Sequence, residues 1–141
     1  MNIFRKFDSL IERFKKFSPL VVRIGLSLVF LWFGSQQLLH TEAWTGLIPK
    51  SILSISGMSA LSFVYFNGIF EIVFSILLIL GLFTRLAALL LALHLLNIIF
   101  VVGYSDIAVR DFGLAMAGIS IFLSGADAWC LDKIFIRREG K

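Results

Sequence analysis

The stretch "FNGIFEIVFSILLILG", residues 66–81, decides the fold. With the apolar residues before it, it reaches the roughly 20 residues that cross a bilayer, yet it carries Glu71 in its middle. A carboxylate in hydrocarbon costs about 2.5–3.5 kcal/mol on insertion scales. Such a residue persists only where facing helices shelter it with donors at matching depth. The rest of the chain has to supply those helices and those donors.

The chain has 141 residues, 59% hydrophobic and 16% charged. Soluble domains run about 45–50% apolar and about 25% charged, so this one is built for lipid, as a single domain. A net charge of +4 would suit nucleic acid, but Lys and Arg flank the apolar runs as they do in membrane proteins. No nucleic-acid partner is expected. The lone Cys130 excludes an intramolecular disulfide, a thiolate metal site and the cysteine-pair chemistry of membrane disulfide exchange. Two histidines, His40 and His94, on different segments are too few for haem or metal, and no covalently bound cofactor is expected.

Four spans are expected, at 19–39, 63–82, 86–103 and 107–123, with an outer loop at 40–62. "GLFTR" joins the second and third spans so tightly that they form an antiparallel hairpin, with Gly81 ending one helix and Thr84 capping the next. "GYSD" opens the fourth span, with Ser105 or Asp106 as cap. Of the 13 Lys and Arg residues, only Lys50 and Arg110 lie on the outer side. The positive-inside rule then places both termini in the cytoplasm and the protein in the inner cell membrane as a multi-pass chain.

Residues 1–18 form an amphipathic arm rather than a cleavable signal, since no small-residue cleavage site follows the first apolar run. Ile3, Phe7, Leu10, Phe14 and Phe17 recur at helical spacing, and Pro19 is expected to end the arm. It either lies on the cytoplasmic leaflet or packs on the bundle's own cytoplasmic end. Residues 133–141 are a basic cytoplasmic tail. In the outer loop, a short helix after Pro49 and a plain loop anchored by Trp44 are both open.

Residues three and four apart share a helix face. The first span carries Arg23, Ser27, Gly34 and Gln37 on one face, the second Asn67, Glu71 and Ser75. The third carries His94, Asn97 and Tyr104, and the fourth Arg110, Gly113, Ala117, Ser120 and Ser124. Small residues let backbones approach and polar ones bond across, so an all-α integral membrane four-helix antiparallel bundle with a polar interior is expected. At about 1.5 Å per residue, Glu71 lies about 12 Å from the outer boundary, level with His94 and Asn97. Gln36, Gln37, Arg110 and Asp111 lie within about the outer turn. His94, Asn97 and an inward-reaching Arg110 are the expected partners of Glu71. Burial favours a neutral acid, and Arg110 or a protonated His94 favours a carboxylate; both states are open. Arg23, near the opposite surface, reads as an orientation determinant, and Asp127 and Asp132 as solvated or capping residues.

"RIGLSLVFLWFGSQQL", "NGIFEIVFSILLILGLFTRLAALLLALHLL" and "VRDFGLAMAGISIFLSGADAWCLD", in that order, resemble the DoxX-type family of small membrane proteins over residues 20–132. The resemblance implies a four-helix membrane bundle. It also implies association with quinone-linked oxidoreductases acting on reduced sulfur compounds, or with oxidative-stress defence. Carried onto this chain, the family pattern points at Glu71, Arg110 and Asp111, with Arg23 and Gly34 in the first span. The family often has a lysine three residues after that glycine, where this chain has Gln37, so a cationic site there is lost.

Two functions follow as expectations. In the first, the chain is a membrane subunit or accessory partner of a quinone-linked oxidoreductase. Glu71 and His94 are then the candidate catalytic pair, handling protons, and Gln37, Asn67, Asn97, Arg110 and Asp111 bind a quinone or small ligand in the outer half. Arg23 and Gly34 are structural. Electrons come from a redox protein partner, and membrane lipids and a second copy of the chain are further partners. In the second, it is a non-catalytic membrane module, an assembly factor, lipid-binding protein or small-solute carrier, whose buried polar residues hold the fold. An enzyme acting alone lacks a nucleophile, base and orienting group.

Overall fold

The opening stretch lies in a 21-residue helix, Ala60–Leu80, in a computed structural model of the chain that describes residues 2–134. The expected basic tail from residue 135 onward, with Arg137, Arg138 and Lys141, lies outside the described residues. In chain order the helices are α1 (Asn2–Phe14), α2 (Ser18–Leu39), α3 (Thr41–Thr45), α4 (Lys50–Ser56), α5 (Ala60–Leu80), α6 (Thr84–Val102) and α7 (Asp106–Ser124). A 3₁₀ turn, Lys15–Phe17, joins α1 to α2, and one further helical turn covers residues 131–134.

Four of these helices are long and apolar enough to cross a membrane, and only 28% of each apolar window is buried inside the chain. The remaining surface is apolar, as Trp32, Phe66, Ile69, Leu93 and Phe112 illustrate. A soluble protein rarely exposes such patches. The chain is a multi-pass membrane protein.

The bundle is built from two tight pairs, α2 on α5 and α6 on α7, closed by narrower α5–α6 and α2–α7 seams. Small residues set both tight contacts. A Cβ on Gly34 would lie 2.8 Å from Ile72 Cγ1 and 2.9 Å from the Gly68 carbonyl oxygen, and one on Gly118 would lie 3.0 Å from the Ala92 Cβ. Close backbone approach of this kind drives helix association in lipid, where apolar burial alone does not. Leu26, Phe30, Leu78, Leu91, Leu95, Ala115 and Ile121 fill the core between the pairs.

Three expectations are corrected. Pro19 does not break the chain: it falls in the first turn of α2, and helical dihedrals run through Phe14, Phe17 and Ser18. A proline ring crowds the carbonyl four residues back, here that of Lys15. The 3₁₀ turn absorbs the crowding, with Ser18 N–H donating to the Lys15 carbonyl.

The buried face of α7 is Ala108, Asp111, Ala115, Gly118 and Ile121, while Arg110, Gly113, Ser120 and Ser124 are exposed. Close packing on α6 selects Ala115 and Gly118 over the polar stripe, since the smallest side chains allow the nearest approach. On α6, likewise, Thr84, Ala87, Ala88, Leu91, Ala92 and Leu95 face inward and Asn97 is exposed, while Tyr104 lies exposed beyond the end of the helix.

Thr84 does not cap α6. Phe83 takes that position with φ +48°, and Asp132, 48 residues away from Thr84, supplies the acceptors. Its carboxylate accepts from Phe83 N–H and Thr84 N–H at 2.8 Å each and from Thr84 Oγ1 at 2.7 Å. A carboxylate takes several donors at once and suits the positive end of a helix, which a threonine hydroxyl does not match. Ser105 caps α7, accepting from Ala108 N–H at 3.1 Å.

Candidate functional site

Glu71 sits near the middle of α5, buried, where the Gly34–Gly68 contact brings α2 within hydrogen-bonding reach. Nε2 of Gln37 donates to Oε2 of Glu71 at 2.9 Å, and Nδ2 of Asn67 donates to Oε1 of Gln37 at 3.1 Å. On the other side, His94 Nε2 lies 3.1 Å from Oε1 of Glu71, its ring packed against Phe70 with centroids 5.0 Å apart. Three helices thus contribute to one polar row: Asn67, Gln37, Glu71, His94.

The row has a defined proton count. An amide nitrogen only donates, so Oε2 of Glu71 is an acceptor. The Oε1–Nε2 contact then holds one proton, carried by the imidazole or by the carboxyl, and either pattern satisfies the same heavy atoms. Each amide nitrogen keeps a second N–H beyond those used in the row. The site can therefore shuttle a proton between an acid and a base and still offer donors to a carbonyl.

Two expected partners are elsewhere. Arg110 does not reach Glu71; its Nε and Nη2 lie 2.9 and 2.7 Å from Oδ1 of Asp111, and its guanidinium sits over Phe33, 4.6 Å from the centroid. The side chain is 48% exposed and that of Asp111 only 6%: the acid turns inward, and the cation stays on the surface of the bundle. Asn97 is exposed on α6 and makes no hydrogen bond to Glu71 among the described residues. Gln37, assigned by depth to the outer turn, is instead central to the row, since its arm extends inward from a helix held unusually close.

The family model DoxX matches residues 18–104. The chain belongs to the DoxX family. The DoxX match takes in α2 to α6, hence Gln37, Asn67, Glu71 and His94, and ends before α7 with Arg110 and Asp111. No curated protein matches the chain, and neither does any solved structure.

At the opposite end of the DoxX bundle lies a second polar cluster. Arg23 is 2% exposed. Its Nε donates to Oδ2 of Asp127 at 2.8 Å, and its Nη1 donates to the carbonyls of Leu78 and Ile79 at 2.6 Å each. The guanidinium thus satisfies the last carbonyls of α5, where a cation is favoured by the helix dipole. Arg23 is a buried ion pair, and Asp127 is neither solvated nor a simple cap. Burial alone would push the Asp127 carboxyl up, but hydrogen bonds from Arg23 and from Trp129 N–H, with the Arg23 charge, hold it below its ordinary value. Asp132 is lowered in the same way, its burial outweighed by the donors of Thr84 and Phe83. Cys130 packs so tightly here that a Cβ on Gly81 would lie 2.5 Å from its Cα. "SGADAWCLD" is therefore a clasp over the helix ends. The recurrence of Asp at 127 and 132 beyond a Gly was its sequence signal.

Proposed function

We propose that this DoxX protein is a membrane subunit or accessory partner of a quinone-linked oxidoreductase, whose polar row binds a quinone headgroup or similar small ligand. The bundle is taken to sit in the inner membrane with its long helices antiparallel and both termini cytoplasmic, as the distribution of basic residues requires.

One observation carries this reading. Nε2 of His94 lies 3.1 Å from Oε1 of Glu71, within hydrogen-bonding reach, with Gln37 and Asn67 lined up beside them. Quinone carbonyls need donors, and the unused amide N–H groups fit them. A bound quinone would supply two-electron chemistry coupled to two protons, with electrons delivered by a redox protein partner. Glu71 and His94 would hold and pass protons, and Gln37 and Asn67 would orient the head.

Glu71→Gln tests the reading. Gln is nearly isosteric and can still accept from Gln37, so the fold is kept while proton exchange with His94 is lost. Loss of quinone binding, or of oxidoreductase activity in the native membrane, with unchanged helicity and melting supports it. Protein isolated from its native membrane with neither quinone nor redox partner overturns it.

A specific observation favours the second reading, a non-catalytic membrane module. Among the described residues, no buried side-chain nitrogen or oxygen lacks a partner, as expected where polar rows hold helices in register. Under it, Glu71→Gln lowers the melting temperature and leaves any ligand binding intact.

A further inference from the structure

We infer that the lipid-facing side of the α5–α6 seam is a docking site for a flat, lipid-soluble molecule with a carbonyl or hydroxyl head, held by His94 and Asn97. It rests on the Glu71–His94 pair being a ligand site, and it specifies the side from which the ligand arrives.

An imidazole has two nitrogens. Glu71 takes Nε2, and Nδ1 has no hydrogen-bond partner among the described residues. Turning the ring over would set a ring carbon, not a nitrogen, against Glu71, so Nδ1 is the nitrogen left over. The His94 side chain is 15% exposed, and no sealed nitrogen goes unpaired, so the free nitrogen opens to the outside of the bundle. Three residues on, and so on the neighbouring turn of α6, Asn97 is exposed with no hydrogen bond to its amide among the described residues. His94 lies eight residues from the end of α6 at Val102, about 12 Å down the helix. At that depth water does not satisfy polar groups. The partner of the His94 nitrogen has to come from the membrane phase.

The walls say what kind of partner. Phe66, Phe70 and Phe74 form a row along α5 with centroids 6.4 and 4.6 Å apart, and Phe70 is the ring that touches His94. Phe66 is 61% exposed. Aromatic faces favour offset stacking with another ring, and the polar pair fixes its head. A second copy of the chain is disfavoured as occupant. The His94 side chain is only 15% exposed and packs on Phe70, a narrower opening than the broad cylinder of a helix needs.

The test uses the full chain in phospholipid nanodiscs, with decylubiquinone as equilibrium probe and an azido-benzoquinone as photolabel. Asn97→Leu and Phe66→Leu change lipid-facing positions and leave Glu71 untouched. The expected result is about tenfold weaker binding for Asn97→Leu, the loss of about one hydrogen bond. Weaker binding for Phe66→Leu and labelling of residues 66–74 and 94–97 are also expected. Unchanged affinity in both variants, with label elsewhere, overturns this site. If Glu71→Gln still abolishes binding in that case, the interior reading survives. Loss of a dimer in Asn97→Leu with unchanged affinity assigns the face to a second copy and also overturns it. No binding by the unaltered chain overturns both.

Discussion

Gln37 and Glu71, 34 positions apart in the chain, are joined by a 2.9 Å hydrogen bond between α2 and α5. The bond exists because Gly34 and Gly68 let the two helices touch one turn away from it. Replacing Gln37 by Leu removes the donor to Glu71 and the acceptor for Asn67 together. A bundle less stable by about 1–3 kcal/mol is expected, measured by unfolding in detergent, because a buried carboxyl oxygen then lacks a partner. An unchanged unfolding midpoint would show that the row contributes nothing to the fold.

The Gly34–Gly68 contact itself is testable. Ala at 34 places a Cβ 2.8 Å from Ile72 Cγ1 and 2.9 Å from the Gly68 carbonyl, one of which is backbone and cannot swing aside. Overpacking of this kind costs about 1–3 kcal/mol. Gly34→Ala is expected to lower stability and also to weaken ligand binding at Glu71, by prising α2 away. Gly25→Ala, where nothing lies within 4 Å, is the control and should behave as the parent.

Arg23→Met strands Asp127 in the clasp and frees the terminal carbonyls of α5. Breaking a buried pair from one side typically costs about 3–5 kcal/mol. The double change Arg23→Met with Asp127→Leu is expected to recover part of that loss. Thermal melting of the two single variants and the double one forms a cycle, and simple additivity would show that the pair is not coupled.

The two lowered carboxyls set an acid limit. Their folded-state values lie below the ordinary carboxylate value of about 3.9, so they hold fewer protons than the unfolded chain near that pH. Their contribution is whole above the ordinary value and is lost as pH falls through the lowered ones. Melting temperature should therefore be level near neutrality and drop steeply below about pH 4. Asp132→Asn removes an acceptor from the start of α6, costing about 1–2 kcal/mol, and should flatten part of that drop. A melting curve in acid identical to the parent's would exclude Asp132 as its source.

Much of the architecture was legible in the residues themselves. Four long helices follow from runs of apolar residues, because hydropathy and backbone hydrogen bonding are local properties that each segment carries alone. The level match of His94 to Glu71 was legible for a similar reason: a fixed rise per residue turns position into depth. Gly81 and Ser105 could be placed at helix ends because left-handed φ and a capping hydroxyl are demands of single positions.

Rotation and reach were not legible. Asn97 looked like a partner of Glu71 at its own height and Arg110 like one reaching inward from the outer turn, yet α6 and α7 turn them outward, because the nearest helix approach is chosen by Ala88, Ala92, Ala115 and Gly118. Gln37 looked too shallow, and became central because two glycines remote in sequence removed the space between α2 and α5. Arg23 and Asp127, 104 positions apart, gave no pairing signal to a reader of either neighbourhood. The sequence alone determined which segments are long and apolar enough to cross the membrane and that His94 lies level with Glu71, since those follow from properties a helix has in isolation. Which polar groups meet was decided only by tertiary packing, since it depends on how closely each pair of helices approaches and how each is turned, and those are set jointly by side chains on both.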